Sequence, residues 1–152
     1  MKRRHFLQSS ALAALSLIST HKAIGQTQMN TSQTTSQKTM KVRVTSGAVS
    51  VVFALNETQA AQDLHAQLPL TVDVENFSTN EKIFYPKKKL DITGASEAYA
   101  KKGSLCYYAP WGNVVMFYAH FGQGTRLYSL GEAIEGIDNI EKLRGKITIS
   151  AF

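Results

Sequence analysis

From residue 40 onward, apolar and polar positions change places every second residue. Val42 and Val44 alternate with Lys41, Arg43 and Thr45, and after Ser46-Gly47 the run Val49 to Leu55 is apolar nearly throughout. This predicts a hairpin whose second strand is the more central. Asn56 is placed to cap a helix, with Gln59 three residues on, and Ala60, Ala61, Leu64 and Leu68 share one face before Pro69 stops it. His65 sits at the edge of that face and reads as a boundary residue rather than a ligand. Leu70, Val72 and Val74 alternate with Thr71 and Asp73, so a half-buried strand follows, and then a polar turn over 76–82.

The densest apolar stretch is Gly103 to Phe121. Leu105 to Ala109 and Val114 to Phe121 flank Pro110-Trp111-Gly112-Asn113, a pattern that predicts two antiparallel strands joined by a tight turn. Before it, Pro86 confines Ile83-Phe84-Tyr85 to an edge or a loop. Lys87, Lys88 and Lys89 read either as protection against edge pairing or as an anion site, and 95–102 as a surface connection. After it, Gly122 to Arg126 reads as a flexible loop, and a short strand resumes at Leu127 to Leu130. Ile137, Ile140 and Leu143 share a helical face between Gly136 and Gly145, and Lys146 to Phe152 alternates as a last strand with Ile147 and Ile149 inward. The fold class expected is mainly β: a closed or partly open barrel of about eight strands with two short helices, in one domain of roughly 110 residues.

The chain has a formal net charge of +6, which would ordinarily invite an anionic partner. Four of the 17 basic residues and none of the 11 acidic ones precede Gln26, so the remainder is close to neutral and a nucleic-acid role loses its main support. Residues 1–25 have the form of a signal peptide: a basic head, the short apolar run Ala11 to Ile18, and Ala23-Ile24-Gly25 before the cut. Arg3-Arg4-His5-Phe6-Leu7 matches the twin-arginine form, which implies a domain that folds before export to the periplasm and keeps no stable membrane anchor after cleavage. Residues 26–39 are rich in Gln, Thr and Ser and read as a disordered polar linker, leaving 40–152 as the folded domain. Cys106 is the only cysteine, so there is no internal disulfide. It reads as a buried small hydrophobe rather than a nucleophile paired with His120.

Tyr107-Tyr108, the Pro110-Trp111-Gly112-Asn113 turn and Phe117-Tyr118 resemble the bacterial cyclophilin-like family of small β-barrel proteins. Leu68-Pro69-Leu70, Leu130-Gly131 and the final Gly145-Lys146-Ile147-Thr148-Ile149 are similar as well, so the resemblance spans Met40 to Phe152. It implies the barrel but not an activity, because the Phe-x-Arg and Phe-Met-x-Gln-Gly-Gly runs of the prolyl isomerases are absent.

Chemistry is sought by elimination. No HExxH spacing or cysteine pair points to a metal, no Gly-x-Ser-x-Gly elbow points to a hydrolase, and no cofactor is expected. Prolyl isomerisation needs an apolar pocket and a donor to the prolyl nitrogen. Of Arg43, Arg126 and Arg144, only Arg126 lies beside the aromatic strand. The expected site is therefore Tyr108, Phe117, His120 and Phe121 with Arg126 at the rim, and Trp111 acting either as a lid or as a ligand contact. Three functions follow: a binder of a peptide or small apolar ligand, a periplasmic prolyl isomerase with Arg126 as its catalytic donor, or an assembly domain.

Overall fold

The computed structural model describes residues 39–152; the signal peptide and all but the last residue of the linker expected from the sequence lie outside the described residues. Nine strands follow in chain order: β1 (Lys41–Ser46), β2 (Val49–Leu55), β3 (Leu70–Phe77), β4 (Glu81–Phe84), β5 (Glu97–Ala100), β6 (Ser104–Tyr108), β7 (Asn113–Phe117), β8 (Gly122–Glu135) and β9 (Gly145–Ala151). The helix α1 (Gln59–Ala66) lies between β2 and β3, and a 3-10 helix (Ile137–Lys142) between β8 and β9.

Pairing runs β2-β1-β9-β3-β4-β7-β6-β8, and β8 pairs back onto β2. The expected barrel is closed, with eight antiparallel strands and β5 added on the outer side of β8. Closure removes the unpaired backbone edges that an open sheet would expose. The interior is apolar: Phe53, Leu70, Leu105, Met116, Leu130 and Ile147 are essentially inaccessible, and α1 and the 3-10 helix add Leu64 and Ile140 to the same cluster. Each such side chain removed from water contributes about 1.5–3 kcal/mol. Among the described residues no helix is long and apolar enough to cross a membrane.

Several elements depart from the sequence expectation. The cap of α1 is Thr58 rather than Asn56: the Thr58 hydroxyl accepts from the Ala61 N–H at 3.3 Å. Asn56 is occupied elsewhere, its Nδ2 donating to the Ser129 carbonyl and its Oδ1 accepting from the Thr58 hydroxyl. The expected polar turn over 76–82 shrinks to 78–80, because Glu81 and Lys82 already belong to β4. β4 is internal, between β3 and β7, and ends before Pro86, so the three lysines that follow lie exposed in a loop and guard no edge. The expected surface connection over 95–102 contains β5, whose Ala98 and Ala100 are buried. The expected loop from Gly122 to Arg126 is the first part of the 14-residue β8.

Candidate functional site

β7 is buried on both faces, and this organises the site. Val114 and Met116 point into the barrel, so Asn113, Val115 and Phe117 stand on its outer face by strand alternation. The same alternation on β6 sends Leu105 and Tyr107 inward and Cys106 and Tyr108 outward. Ala98 and Ala100 of β5 and Leu127 of β8 pack onto this outer surface in a second apolar cluster with Ile83, Cys106, Val115 and Phe117. The overhang leaves an open hollow of about 330 Å³ beside it.

Cross-strand register builds the floor. Glu81 pairs with Phe77 of β3 on one side and with Phe117 of β7 on the other, so one row across three strands reads Phe-Glu-Phe. All three residues line the hollow, with Asn113 further along β7. Trp111, in the turn between β6 and β7, folds back over this face: its ring stands edge-on to Phe77 at 5.3 Å and to Tyr108 at 5.5 Å. Phe121 packs its ring 5.1 Å from that of Phe117. Gly124 completes the rim, and a Cβ there would lie 2.6 Å from the side chain of Leu127, three residues on in the same strand, so the bare Cα at 124 leaves room for Leu127.

Two polar groups are buried in this aromatic setting. Glu81 is 8% exposed and forms no ion pair among the described residues. Burial alone pushes its carboxyl above the usual range, with no neighbouring charge contributing. Asn113 is 2% exposed, and its Oδ1 has no hydrogen-bond partner among the described residues. Most buried polar atoms in folded proteins are satisfied, so both groups call for a physical explanation.

Of the six site residues expected from the sequence, Tyr108, Trp111, Phe117 and Phe121 line the hollow, and His120 and Arg126 do not. The His120 ring lies against Tyr99 of β5 at 5.8 Å, and its carbonyl accepts from Asn80 Nδ2. Arg126 has a left-handed backbone (φ 60°), and its N–H donates to the Glu97 carboxylate at 2.7 Å, at an irregularity in the β5–β8 pairing. Phe77, Glu81 and Asn113 were missed by sequence reasoning. Alternation with Val115 and Phe117 places Asn113 on the outer face, but Phe77 and Glu81 reach the site only through the pairing of β3, β4 and β7.

Cys106 lies under the β5 overhang, and its thiol is pushed up to about 12, first by burial and then by the negative charges of Glu132 and Glu81. The thiolate is the reactive form, so the folded protein is expected to resist iodoacetamide at mildly alkaline pH and to react fully once unfolded in urea. Mass spectrometry of the two reactions checks this; rapid labelling of the folded form would mean that the overhang does not cover the thiol.

A family model described as the cyclophilin-like family matches residues 44–151, nearly the whole barrel from within β1 to the end of β9. The chain belongs to the cyclophilin-like family. Among solved structures, this cyclophilin-like domain is similar to the solution structure of the hypothetical protein AF2241 from Archaeoglobus fulgidus. The TM-score is 0.55 at 12% identity, covering 74% of this chain and 94% of the archaeal one. That likeness shows the shared fold of the cyclophilin-like domain. No curated protein matches the chain.

Proposed function

We propose that this cyclophilin-like domain is an exported binding protein that holds a peptide or a small, largely apolar ligand in the hollow on the outer face of its barrel. The observation that carries this reading is the aromatic hollow itself, concave, mostly apolar and holding two buried polar groups that no described residue pairs. Ligand sites have this composition, and a surface without a ligand gains nothing from burying Glu81 and Asn113 there. Turnover by a prolyl isomerase would require a donor at the pocket. Arg126, the arginine the sequence favours, lies off the hollow with its backbone held by Glu97, so binding without turnover is the better-supported reading.

The twin-arginine form of residues 1–25 supports export to the periplasm, and the near-neutral remainder supports a partner other than nucleic acid. Intact and native mass spectrometry of the protein recovered from the periplasm tests both parts. The expected intact mass corresponds to a chain beginning at Gln26, and the expected native mass exceeds it by one small molecule or peptide. An uncleaved chain found only in the cytoplasm refutes export. Protein that carries nothing, and takes up nothing from a periplasmic extract, refutes the binding reading.

A further inference from the structure

The chemistry of the hollow restricts what can fill it, and this restriction rests on the binding reading above. A purely apolar occupant would complete the burial of Glu81 and Asn113 Oδ1 and leave both without partners, a cost paid on every binding event. An anion would meet a carboxyl group and the negative faces of aromatic rings. A cation meets attraction from both. The Glu81 carboxyl stands between Phe77 and Phe117 in the cross-strand row, Trp111 packs on Phe77 and Phe121 packs on Phe117, so rings surround the position a counter-ion would occupy. Aromatic faces attract cations most strongly where water is excluded.

Asn113 adds a second requirement. It lies four residues from Phe117 on β7, roughly 13 Å along the strand, and its unpaired oxygen needs a hydrogen-bond donor there. The lining residue Val115 stands between the two ends. The geometry points to an aminoalkyl ligand, with a protonated amine against Glu81 among the rings, an alkyl stem over Val115 and Phe117, and a second N–H directed at Asn113. A lysine residue in a polypeptide has these three parts, and so does a linear polyamine. A quaternary ammonium lacks N–H donors and fits less well. Burial raises the Glu81 carboxyl, and a cation beside it would offset that by favouring the ionised form.

Trp111 is the chain's only tryptophan and lines the hollow, so its fluorescence reports occupancy directly. Hexylammonium, hexanol, hexanoate and hexyltrimethylammonium are titrated into the purified protein, with calorimetry as a second readout. Hexylammonium is expected to bind at least tenfold tighter than hexanol or hexyltrimethylammonium, and hexanoate not to bind. Glu81→Gln, checked for folding by its thermal melt, is expected to bind hexylammonium and hexanol about equally. Competition by a blocked lysine tripeptide assigns the site to lysine side chains and competition by spermidine to free polyamines; each supports the aminoalkyl class.

Hexanol binding as tightly as hexylammonium, or a Glu81→Gln protein that keeps the preference for the amine, overturns the inference and leaves the binding reading intact. The binding reading itself falls only on the native mass and extract result described above.

Discussion

Replacing Gly131 by alanine is expected to cost about 4 kcal/mol or more, a large part of the 5–15 kcal/mol that typically holds a domain folded. Gly131 sits where β8 pairs with both β6 and β2, opposite Leu105 on one side and Leu55 on the other. A Cβ there would lie 2.1 Å from the Ala54 carbonyl oxygen and 2.9 Å from the Leu55 Cα. Both are backbone atoms, so no rotamer change relieves the clash. β8 must move away from β2, and that pairing is the seam that closes the barrel. Gly47 is the natural control: it has φ 57° and nothing within 4 Å of an added Cβ. Gly47→Ala pays only the strain of a left-handed backbone, about 1 kcal/mol. Urea unfolding of the two variants beside the parent checks the contrast, and equal midpoints for Gly131→Ala and the parent would mean that the seam is not packed as described.

Trp111→Ala is expected to lower affinity for the hollow's ligand by roughly 2–3 kcal/mol, about thirtyfold to more than a hundredfold. Its effect on folding is much smaller. The residue is 52% exposed, and the anchorage of its ring consists of the two edge-on contacts with Phe77 and Tyr108, each worth about 0.5–1.5 kcal/mol at most. Large loss of binding with a modest loss of stability distinguishes a residue that contacts ligand from one that holds the core. Because the substitution removes the fluorophore, calorimetry with hexylammonium, together with a thermal melt, is the suitable measurement. Unchanged affinity would show that the indole is only a cover for the barrel face and that the ligand sits elsewhere.

The parts of the fold legible in the sequence are those in which local pattern and tertiary demand agree. Leu105 to Tyr108 and Val114 to Phe117 read as a hairpin because their alternation and the Pro-Trp-Gly-Asn turn make the same statement, and they pair as expected. The last strand is equally clear, with Ile147 and Ile149 inward. β5 is not legible, since Glu-Ala-Tyr-Ala has little strand preference. Its alanines are buried because small side chains let it lie close over Cys106 and Val115, a relation between residues distant in the chain. Gly122 and Gly124 make the start of β8 look like a loop, whereas Gly124 serves close packing against Leu127.

The site divides in the same way. Tyr108, Trp111, Phe117 and Phe121 lie on or just beyond one hairpin and could be read locally, and all four line the hollow, whereas Phe77 arrives from β3. Arg126 was favoured for its nearness in sequence to the aromatic strand. Its left-handed backbone and the Glu97 carboxylate are features of the β5–β8 pairing that no local pattern carries. Glu81 belongs to the site only because β4 lies between β3 and β7, and strand neighbours of that kind are set by the closed topology.

The closed barrel and the turn that carries Trp111 differ in how readily they can move. The floor of the hollow is carried by strands paired on both sides around a closed ring, so exposing its amide groups requires the cooperative loss of the whole structure. Trp111 stands over that floor on the short turn between β6 and β7, outside the strand ladders, and can shift on the timescale of loop motion while every barrel pairing stays intact. On the proposed binding reading, ligand exchange would be kinetically independent of unfolding, and its rate could be altered at the Trp111 turn without shortening the lifetime of the folded protein.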